Sequence, residues 1–287
     1  MKHRPNRRRA EFDEARIYEY PSHLREGIED LPPAPGVYIF HGEEGDLPLY
    51  IGKSVNLRNR VLSHLRTVEE ARMLRQTRRI SHIRTAGEIG ALLLEAQLIK
   101  QQHPLYNQKL RRSRQLCSLQ VEDDQPEVVY AKDVDFARAP SLYGLFGSRH
   151  AALEGLRDLA DALKLCYGEL GLEKLSPGRA CFRATLKQCA GVCRGDESRE
   201  AHRQRLLTGL QGLAVATWPY EGAIGLLECF DDDTQIHVVR NWCYLGSAPT
   251  LAEARKLDRM VVGFDADGYK ILCKPILSGT AEIVQLD

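Results

Sequence analysis

The sequence has no apolar run of about 18 residues, which is the length that a membrane-spanning helix needs. Its basic N-terminus, MKHRPNRRR, also lacks the apolar stretch of a signal peptide. We therefore expect a soluble, cytoplasmic protein with no membrane partner. The 287 residues, of which 43% are hydrophobic, are enough to form two or three domains with packed cores.

A strong net charge is also missing, because the formal sum at pH 7 is only +1. The two signs are nevertheless unevenly distributed. Residues 1–116 contain 21 Lys or Arg against 14 Asp or Glu, whereas residues 117–287 contain 19 against 25. The basic first part favours a polyanionic partner, and a solvated basic face is the ordinary alternative.

A β-hairpin is predicted between Gly36 and Lys53. Two short apolar runs, GVYIF and LYIGK, are separated by a segment rich in Gly, Asp and Glu. Because side chains alternate along a strand, an even register sum would place Tyr38 and Tyr50 on the same face. Gly36 and Gly52 would then leave open space beside these two phenols. An ordinary hairpin with two half-buried tyrosines is the alternative.

A helix is predicted directly after this hairpin, with Ser54 or Asn56 as its N-cap. Its apolar stripe at helical spacing consists of Leu57, Val61 and Leu65. Arg60 and His64 are four residues apart and therefore share one face of this helix.

A later helix is predicted over residues 88–102, with one carboxylate, Glu95, at the edge of its apolar stripe. The segment Pro104–Asn107 follows it. Together, PGVY, YIGK, an Arg in a short helix, a Glu in an apolar helix and a closing Asn resemble the GIY-YIG nuclease module. Five elements in the right order make a specific match, whereas a solvated helix Glu would be the interpretation of Glu95 alone.

The resemblance implies an enzyme, a metal-dependent endodeoxyribonuclease that hydrolyses phosphodiesters. Glu95 would be the sole protein ligand of one Mg2+ or Mn2+ ion, since a two-metal site would need several carboxylates. Tyr50 would be the general base, with Tyr38 second. A free Tyr has a pKa of about 10, so a nearby cation must lower it, and Lys53 is the candidate.

The remaining residues of the module would act on the phosphate and on DNA. Arg60 would stabilise the charge that develops on the phosphoryl oxygens. Asn107 would brace the site, and His64 would either contact phosphate or be a structural histidine. The basic side chains expected to bind DNA are Lys53, Arg58, Arg111, Arg112 and Arg114.

Eight cysteines in an intracellular chain favour thiols or metal ligands over disulfides. Four lie in scattered apolar or strand-like surroundings and are predicted to be small buried residues: Cys117, Cys229, Cys243 and Cys273. The other four are Cys166, Cys181, Cys189 and Cys193, with Arg179, Arg183, Lys187 and Arg194 between them. Four thiolates this close can hold one tetrahedral zinc ion or an iron–sulfur cluster, or remain free thiols.

The order of YGLFGS, a helix and these four cysteines is similar to the segment after the nuclease module of UvrC. UvrC is the incision subunit of bacterial nucleotide excision repair. In that family the four cysteines are associated with a four-iron four-sulfur cluster, so the resemblance implies one here, with Zn2+ as the alternative. The similarity extends over residues 31–194.

After the cysteines, the sequence contains no recognisable counterpart of the second nuclease, the tandem helix-hairpin-helix motifs or the UvrB-binding helices of UvrC. The architecture therefore resembles a short UvrC homologue. This resemblance implies one incision, 3′ to a lesion in double-stranded damaged DNA, on a complex with UvrB and indirectly with UvrA. An endonuclease for branched or foreign DNA and a non-cleaving DNA-binding module are the alternatives.

The expected fold class is α+β: a GIY-YIG ββααβα module, a Cys-rich cluster-binding segment and a small β-rich C-terminal domain. The expected boundaries are a basic tail at 1–30, the nuclease domain at 31–112, the Cys-rich domain at 113–207 and the β-rich domain at 208–287. Further predicted elements are helices at 69–79, 151–165 and 251–260, strands at 80–86, 223–227, 235–240, 242–245 and 269–272, a loop at 141–148 and a turn at 231–233.

Overall fold

The computed structural model describes residues 21–43, 48–107, 116–122, 125–175, 179–260 and 263–286. These residues form two compact units. The first contains residues 21–107 and the segment Glu228–Gln235, and the second contains the described residues from 116 onward without that segment. Both units combine helices with sheets, so the predicted α+β class is confirmed. No helix in the described ranges is long and apolar enough to cross a membrane.

The first unit has a three-stranded antiparallel sheet at its centre. Its elements in chain order are α1 (Arg25–Glu29), β1 (Gly36–His41), β2 (Pro48–Ser54), α2 (Leu57–His64), α3 (Ala71–Gln76), β3 (Arg79–Arg84) and α4 (Glu88–Gln102). The strand order is β2-β1-β3, and all six residues of the central β1 are buried. A strand that is covered on both faces needs consecutive apolar side chains, which the run GVYIF provides.

The two faces of β1 contribute to different apolar clusters. Tyr38 and Phe40 pack with residues of α1, α2 and α3. Val37 and Ile39 pack with Ile51 of β2 and with α4 on the other face. Because β1 is fixed between two layers, the side chains at the β1–β2 pair have little freedom to move.

Part of the predicted N-terminal tail is folded. Leu24 and Ile28 are 2% and 6% exposed and belong to the same apolar cluster as Tyr38. Residues 1–20 lie outside the described ranges. The described part of this segment therefore contributes to the core of the first unit.

Helix α4 has the predicted bounds, Glu88–Gln102. Leu93, Ala96 and Ile99 form its buried stripe. At its N-terminus, the backbone N–H groups of Ile89 and Gly90 donate to the carboxylate of Glu228, at 2.9 and 2.7 Å. A carboxylate at this end satisfies free N–H groups and interacts favourably with the helix dipole.

The helix predicted over 69–79 is shorter than expected. A 3-10 turn at Val68–Glu70 precedes α3, and Thr77 already has an extended backbone with ψ 130°. Strand β3 consequently begins at Arg79, one residue earlier than predicted.

The second unit begins with a sheet of β4 (Cys117–Gln120), β5 (Glu127–Tyr130) and β6 (Leu142–Phe146), in the order β5-β4-β6. The helices α5 (Arg149–Ala162), α6 (Phe182–Thr185) and α7 (Arg199–Leu210) follow. The prediction of a loop at 141–148 was wrong. Strand β6 pairs with β4, and the register shift accommodates Gly144 at φ 73°, so pairing outweighs the local turn signal.

The remaining elements are β7 (Ile224–Phe230), β8 (Asp233–Arg240), β9 (Cys243–Ala248), α8 (Leu251–Leu257), α9 (Ala266–Leu277) and β10 (Glu282–Gln285). The four strands form a sheet in the order β10-β7-β8-β9, which confirms a small β-rich region. The predicted turn at 231–233 is one residue shorter than expected, because Asp231 and Asp232 join β7 to β8 and Asp233 already belongs to β8.

The strand predicted at 269–272 was wrong, because these residues lie in α9. The Asp265 side chain accepts a hydrogen bond from the N–H of Asp267 and caps this helix. Leu272 and Ile276 are buried at helical spacing. The residues of the segment YKIL favour a strand by type, but the helix cap and the helical spacing of the buried apolar residues outweigh that preference.

Candidate active site and metal centre

Tyr38 and Tyr50 share one face of the sheet. Tyr38 lies opposite Gly52 and Phe40 lies opposite Tyr50, so the register sum is even, as the same-face arrangement requires. The two phenol rings are 6.2 Å apart between centroids. The prediction that the two tyrosines lie on the same face of the hairpin is therefore confirmed.

The glycine of YIG allows close approach of Tyr38. A Cβ on Gly52 would lie 2.2 Å from the Tyr38 hydroxyl oxygen and 2.4 Å from its ring carbon Cζ. A Cβ on Gly36 would lie 2.3 Å from the carbonyl oxygen of Ile83. The expectation of open space was wrong, since the buried ring of Tyr38 and a neighbouring strand occupy it.

Helix α2 brings Arg60 and His64 to the tyrosines. Asn56 is its N-cap, because its side chain accepts a hydrogen bond from the N–H of Asn59. The side chain of Tyr38 raises the pKa of the exposed Arg60 guanidinium. A cation that is held beside both phenols but open to solvent is suited to bind an incoming phosphate.

A buried hydrogen-bond chain runs from Tyr38 through His64 to Glu70. The Tyr38 hydroxyl is 2.6 Å from His64 Nε2, and His64 Nδ1 is 2.5 Å from a Glu70 carboxylate oxygen. A carboxylate only accepts, so His64 donates from Nδ1 and its Nε2 accepts from Tyr38. His64 is 3% exposed with both nitrogens engaged, which favours an internal role over a phosphate contact.

Sequence reasoning did not identify Glu70. It lies six residues after His64 in the 3-10 turn before α3, so no helical spacing connects the two. The available signal was an acidic pair, Glu69 and Glu70, close behind a histidine. Only the return of the chain toward α2 makes Glu70 its partner.

Glu95 projects from α4 toward the end of β2. One carboxylate oxygen accepts a hydrogen bond from the Lys53 backbone N–H at 3.0 Å. Burial raises the pKa of Glu95, and the Lys53 N–H, Lys53 and Arg60 oppose that rise. A half-buried carboxylate that has no direct ion pair with any described residue is a suitable oxygen ligand for one hard divalent cation, so the residues fit such an ion.

Lys53 does not provide the charge that was expected beside Tyr50. Its ammonium binds the carboxylate of Glu88 at 2.5 Å. Burial raises the pKa of Tyr50 and Glu95 raises it further, while Tyr38 and Arg60 lower it. Burial and then Tyr50 also raise the pKa of Tyr38. Both phenols are thus stabilised in the neutral form by the chain itself.

Asn107 braces the edge of β2. Its side-chain oxygen accepts from the N–H of Ile51 at 2.9 Å, and its side-chain nitrogen donates to the C=O of Ile51 at 2.8 Å. The N–H of Tyr106 also donates to the C=O of Leu49 at 2.8 Å. These contacts fix the strand that carries Tyr50, in keeping with the bracing role expected of Asn107.

Asn107→Ala should lower the free energy of unfolding by about 3 kcal/mol. The change leaves both backbone groups of the fully buried Ile51 without their partner, and each unsatisfied buried group costs about 1–3 kcal/mol. Urea denaturation measures the effect, with Gln101→Ala at the exposed end of α4 as the control. Equal stability of the two variants would contradict the bracing role.

The structure describes two of the five residues predicted to bind DNA, Lys53 and Arg58. Arg58 donates to the carbonyl oxygens of Leu31 and Glu29, at 2.7 and 3.0 Å, so its guanidinium has a structural role. Arg111, Arg112 and Arg114 lie outside the described residues. Their contact with DNA stays a prediction.

The second unit brings the four clustered cysteines together. The sulfurs of Cys166, Cys181, Cys189 and Cys193 all lie within 4.8 Å of one another. Three are buried and Cys193 is partly buried. A single tetrahedral ion with bonds of about 2.3 Å requires similar separations, and a cluster with one thiolate per iron requires wider ones. The donor set fits a metal centre.

The backbone around the cysteines supports thiolates unevenly. Burial raises the pKa of Cys166 and of Cys181 to about 11. Burial acts in the same direction on Cys193, but the N–H of Cys181 and the neighbouring thiols outweigh it and lower the pKa of Cys193. His202, 3% exposed, accepts a hydrogen bond from the Cys166 N–H at 3.0 Å and anchors this corner.

The scattered cysteines are partly as expected. Cys117 and Cys243 are buried, and Cys273 is intermediate. The prediction for Cys229 was wrong, since it is exposed on β7 near the hydroxyl of Thr234, at 3.6 Å. Leu227, two residues earlier on the same face of β7, still packs against the apolar cluster, so Cys229 lies where the strand extends beyond that cluster.

Three family models match successive parts of the chain. The UvrC-like GIY-YIG domain matches residues 34–108, the UvrC/Cho excinuclease middle domain matches 116–211, and the excinuclease Cho C-terminal domain matches 223–287. The fold and the tyrosine, arginine and glutamate arrangement of the first unit thus define a GIY-YIG endonuclease domain, and the chain is a DNA-cleaving hydrolase.

Curated relatives match over the whole length. Excinuclease cho of Escherichia coli strain K12 is 62% identical over 279 residues, which cover 97% of this chain and 95% of that protein. The Salmonella typhimurium LT2 relative is 59% identical over 286 residues, covering 100% and 98%. The chain belongs to the excinuclease Cho family. It is accordingly a DNA endonuclease of excision repair.

More distant similarity is confined to part of the chain. UvrABC system protein C of Moorella thermoacetica is 34% identical over 188 residues, covering 63% of this chain and 30% of that protein. The solved GIY-YIG N-terminal endonuclease domain of UvrC from Thermotoga maritima, bound to its catalytic divalent cation, magnesium, is 38% identical. The match covers 29% of this chain and 94% of the solved domain, with a TM-score of 0.27.

Proposed function

We propose that this endonuclease makes the incision 3′ to lesions in bacterial nucleotide excision repair, acting on a UvrB–DNA complex. The observation that carries the proposal is one exposed cation and one half-buried carboxylate, Arg60 and Glu95, beside two tyrosines in a UvrC-like domain. The full-length similarity to excinuclease Cho proteins supports the repair pathway.

Glu95 would hold one Mg2+ or Mn2+ ion. When bound, this ion supplies Lewis-acid activation of the phosphodiester. Arg60 is exposed beside the phenols and would bind the phosphoryl oxygens on which negative charge develops. The ammonium of Lys53 is paired with Glu88. Its backbone N–H, which donates to the Glu95 carboxylate, would hold that carboxylate in position.

The chain from Tyr38 through His64 to Glu70, with the Tyr50 ring 6.2 Å from that of Tyr38 between centroids, suggests how a neutral Tyr50 can act as a general base through Tyr38. As Tyr50 takes a proton from the attacking water, its own hydroxyl proton passes to Tyr38. The Tyr38 proton passes in turn to His64 Nε2, and the imidazolium that forms is stabilised by Glu70. No free phenolate is required, which agrees with the raised pKa of both tyrosines.

Glu70→Gln should lower the single-turnover cutting rate by about tenfold to a hundredfold while DNA affinity is unchanged. The amide no longer stabilises an imidazolium at His64, so the chemical step should slow while binding does not change. Glu69→Gln is the matched control, because it removes an adjacent, exposed carboxylate. Equal cutting rates for the two variants would contradict a role of Glu70 in proton transfer.

We also propose that the four clustered cysteines bind a four-iron four-sulfur cluster, with zinc as the alternative. The donor set and its burial support a metal centre. The sulfurs would have to separate to admit a cluster, whereas a single ion fits their present spacing. Visible absorbance and metal analysis of anaerobically purified protein distinguish the two.

The incision assay uses a duplex with one bulky adduct, labelled at either end, with Mg2+ and with or without UvrA and UvrB. We expect a single cut on the 3′ side that requires UvrB. Metal-dependent cutting without UvrB and without a lesion would overturn the repair role and favour an enzyme for branched or foreign DNA. Binding without any product would favour a non-cleaving module.

A further inference from the structure

The segment 174–194 concentrates positive charge around the cysteines. It contains five Lys or Arg and no Asp or Glu, although residues 117–287 as a whole contain more acidic than basic residues. Three of the clustered cysteines lie within this segment, and the proposed metal centre gives a role to these three residues only. The rest of its surface has no assigned role.

Two apolar side chains of this segment face solvent. Phe182 is 69% exposed and Leu186 is 51% exposed. In contrast, Cys181, which precedes Phe182, is 1% exposed, and Ala184, which lies between the two, is 2% exposed. Phe182 and Leu186 are four residues apart around the turn of α6, so they lie on the same side. The side of this short helix that packs with the cysteines and the side that faces solvent are therefore chemically distinct.

The basic residues of the segment differ in what they contact. Arg183 is engaged inside the fold: its guanidinium lies 4.2 Å from the centre of the Tyr167 ring and 2.8 Å from an Asp161 oxygen. Arg194 pairs with Asp196 at 2.6 Å. Arg179 and Lys187 are exposed, and neither has an ion pair with any residue in the described ranges.

We propose that Arg179, Phe182, Leu186 and Lys187 form a surface that binds an unpaired stretch of DNA strand. Arg179 and Lys187 would bind phosphates, and a base would stack on the Phe182 ring beside Leu186. The Glu173 carboxylate accepts a hydrogen bond from the Phe182 N–H at 3.4 Å, but Arg179 and Lys187 both remain exposed beside the ring, and two exposed cations complement a polyanion. An unpaired strand is required because neighbouring bases cover the base faces in a duplex.

The surface can be tested by DNA binding of the full-length protein. We expect Phe182→Ala to weaken binding to a duplex with an internal unpaired bubble about tenfold, or about 1.4 kcal/mol, as loss of one stacked base predicts. Binding to the fully paired duplex should change little. Phe182→Tyr should retain bubble binding, and Phe182→Leu should weaken it, since only an aromatic ring stacks on a base.

The charged part of the surface has a separate signature. Replacing both Arg179 and Lys187 with Ala should reduce the slope of log K against log salt by about 0.7 per lost phosphate contact, so by about 1.4. Phe182→Ala should leave this slope unchanged. Lys270→Ala and Leu277→Ala, at exposed positions of α9 in the same unit, are the matched controls.

Equal bubble binding by Phe182→Ala and the unaltered protein would overturn the proposal. A defect only in binding to a protein partner would also overturn it, because the surface would then be a protein interface. Metal content and thermal stability of each variant exclude misfolding. Glu95→Gln should bind the bubble duplex as tightly as the unaltered protein does, which separates this surface from the proposed incision chemistry.

Discussion

Glu95→Gln should reduce metal-dependent cutting by about a thousandfold, which corresponds to about 4 kcal/mol of transition-state stabilisation. Gln keeps the shape and an oxygen that can accept from the Lys53 N–H, so β2 and α4 should stay in place. It loses the negative charge that would hold a divalent cation. Single-turnover cutting over a range of Mg2+ or Mn2+ concentrations measures the loss, and DNA affinity should not change.

The matched control is Glu88→Gln, seven residues earlier on the same helix. Glu88 is 56% exposed and binds the ammonium of Lys53, so this change removes an equal charge two turns away. We expect an effect of a few-fold at most. If both variants cut equally well, Glu95 is not the ligand that the chemistry depends on.

The second large effect is expected from Cys181→Ser. A metal ion or cluster at a concentration a thousandfold above its dissociation constant stabilises the folded protein by about 4 kcal/mol. Loss of this stabilisation should lower the melting temperature by about 10 °C. Metal content should fall to near zero, because one of four ligands is missing. Metal analysis and a melting curve on the same preparation measure both results.

Cys117→Ser is the control for this change. Cys117 is fully buried in the second unit but is not part of the four-sulfur group. The variant places a hydroxyl in an apolar site and should lose some stability, yet it should keep its full metal content. Metal loss in both variants would show that general destabilisation, and not ligand removal, empties the centre.

The sequence predicted what local patterns encode. The bounds of α4 and the face shared by Tyr38 and Tyr50 follow from periodicity, and the structure confirms both. The four cysteines were grouped by their closeness in sequence, and their sulfurs do meet. Each of these features is set by spacing along one element or one short segment.

The features that were missed depend on contacts between distant segments. Glu70 is only six residues from His64 but becomes its partner only because the chain turns back toward α2, and Lys53 of β2 pairs with Glu88 of α4. Strand β6 exists because β4 supplies its hydrogen bonds, despite the turn-forming Gly144. Sequence spacing does not contain these long-range pairings, so they could not be predicted from it.

The contacts of residues 105–107 also bear on self-association. Strand β2 lies at the edge of its sheet, where unpaired backbone groups would invite strand addition by another molecule. The backbone of Tyr106 and the side chain of Asn107 already occupy the hydrogen-bonding groups of Leu49 and Ile51. Tyr106 and Asn107, which hold β2 in place, therefore also protect the nuclease unit from edge-to-edge aggregation.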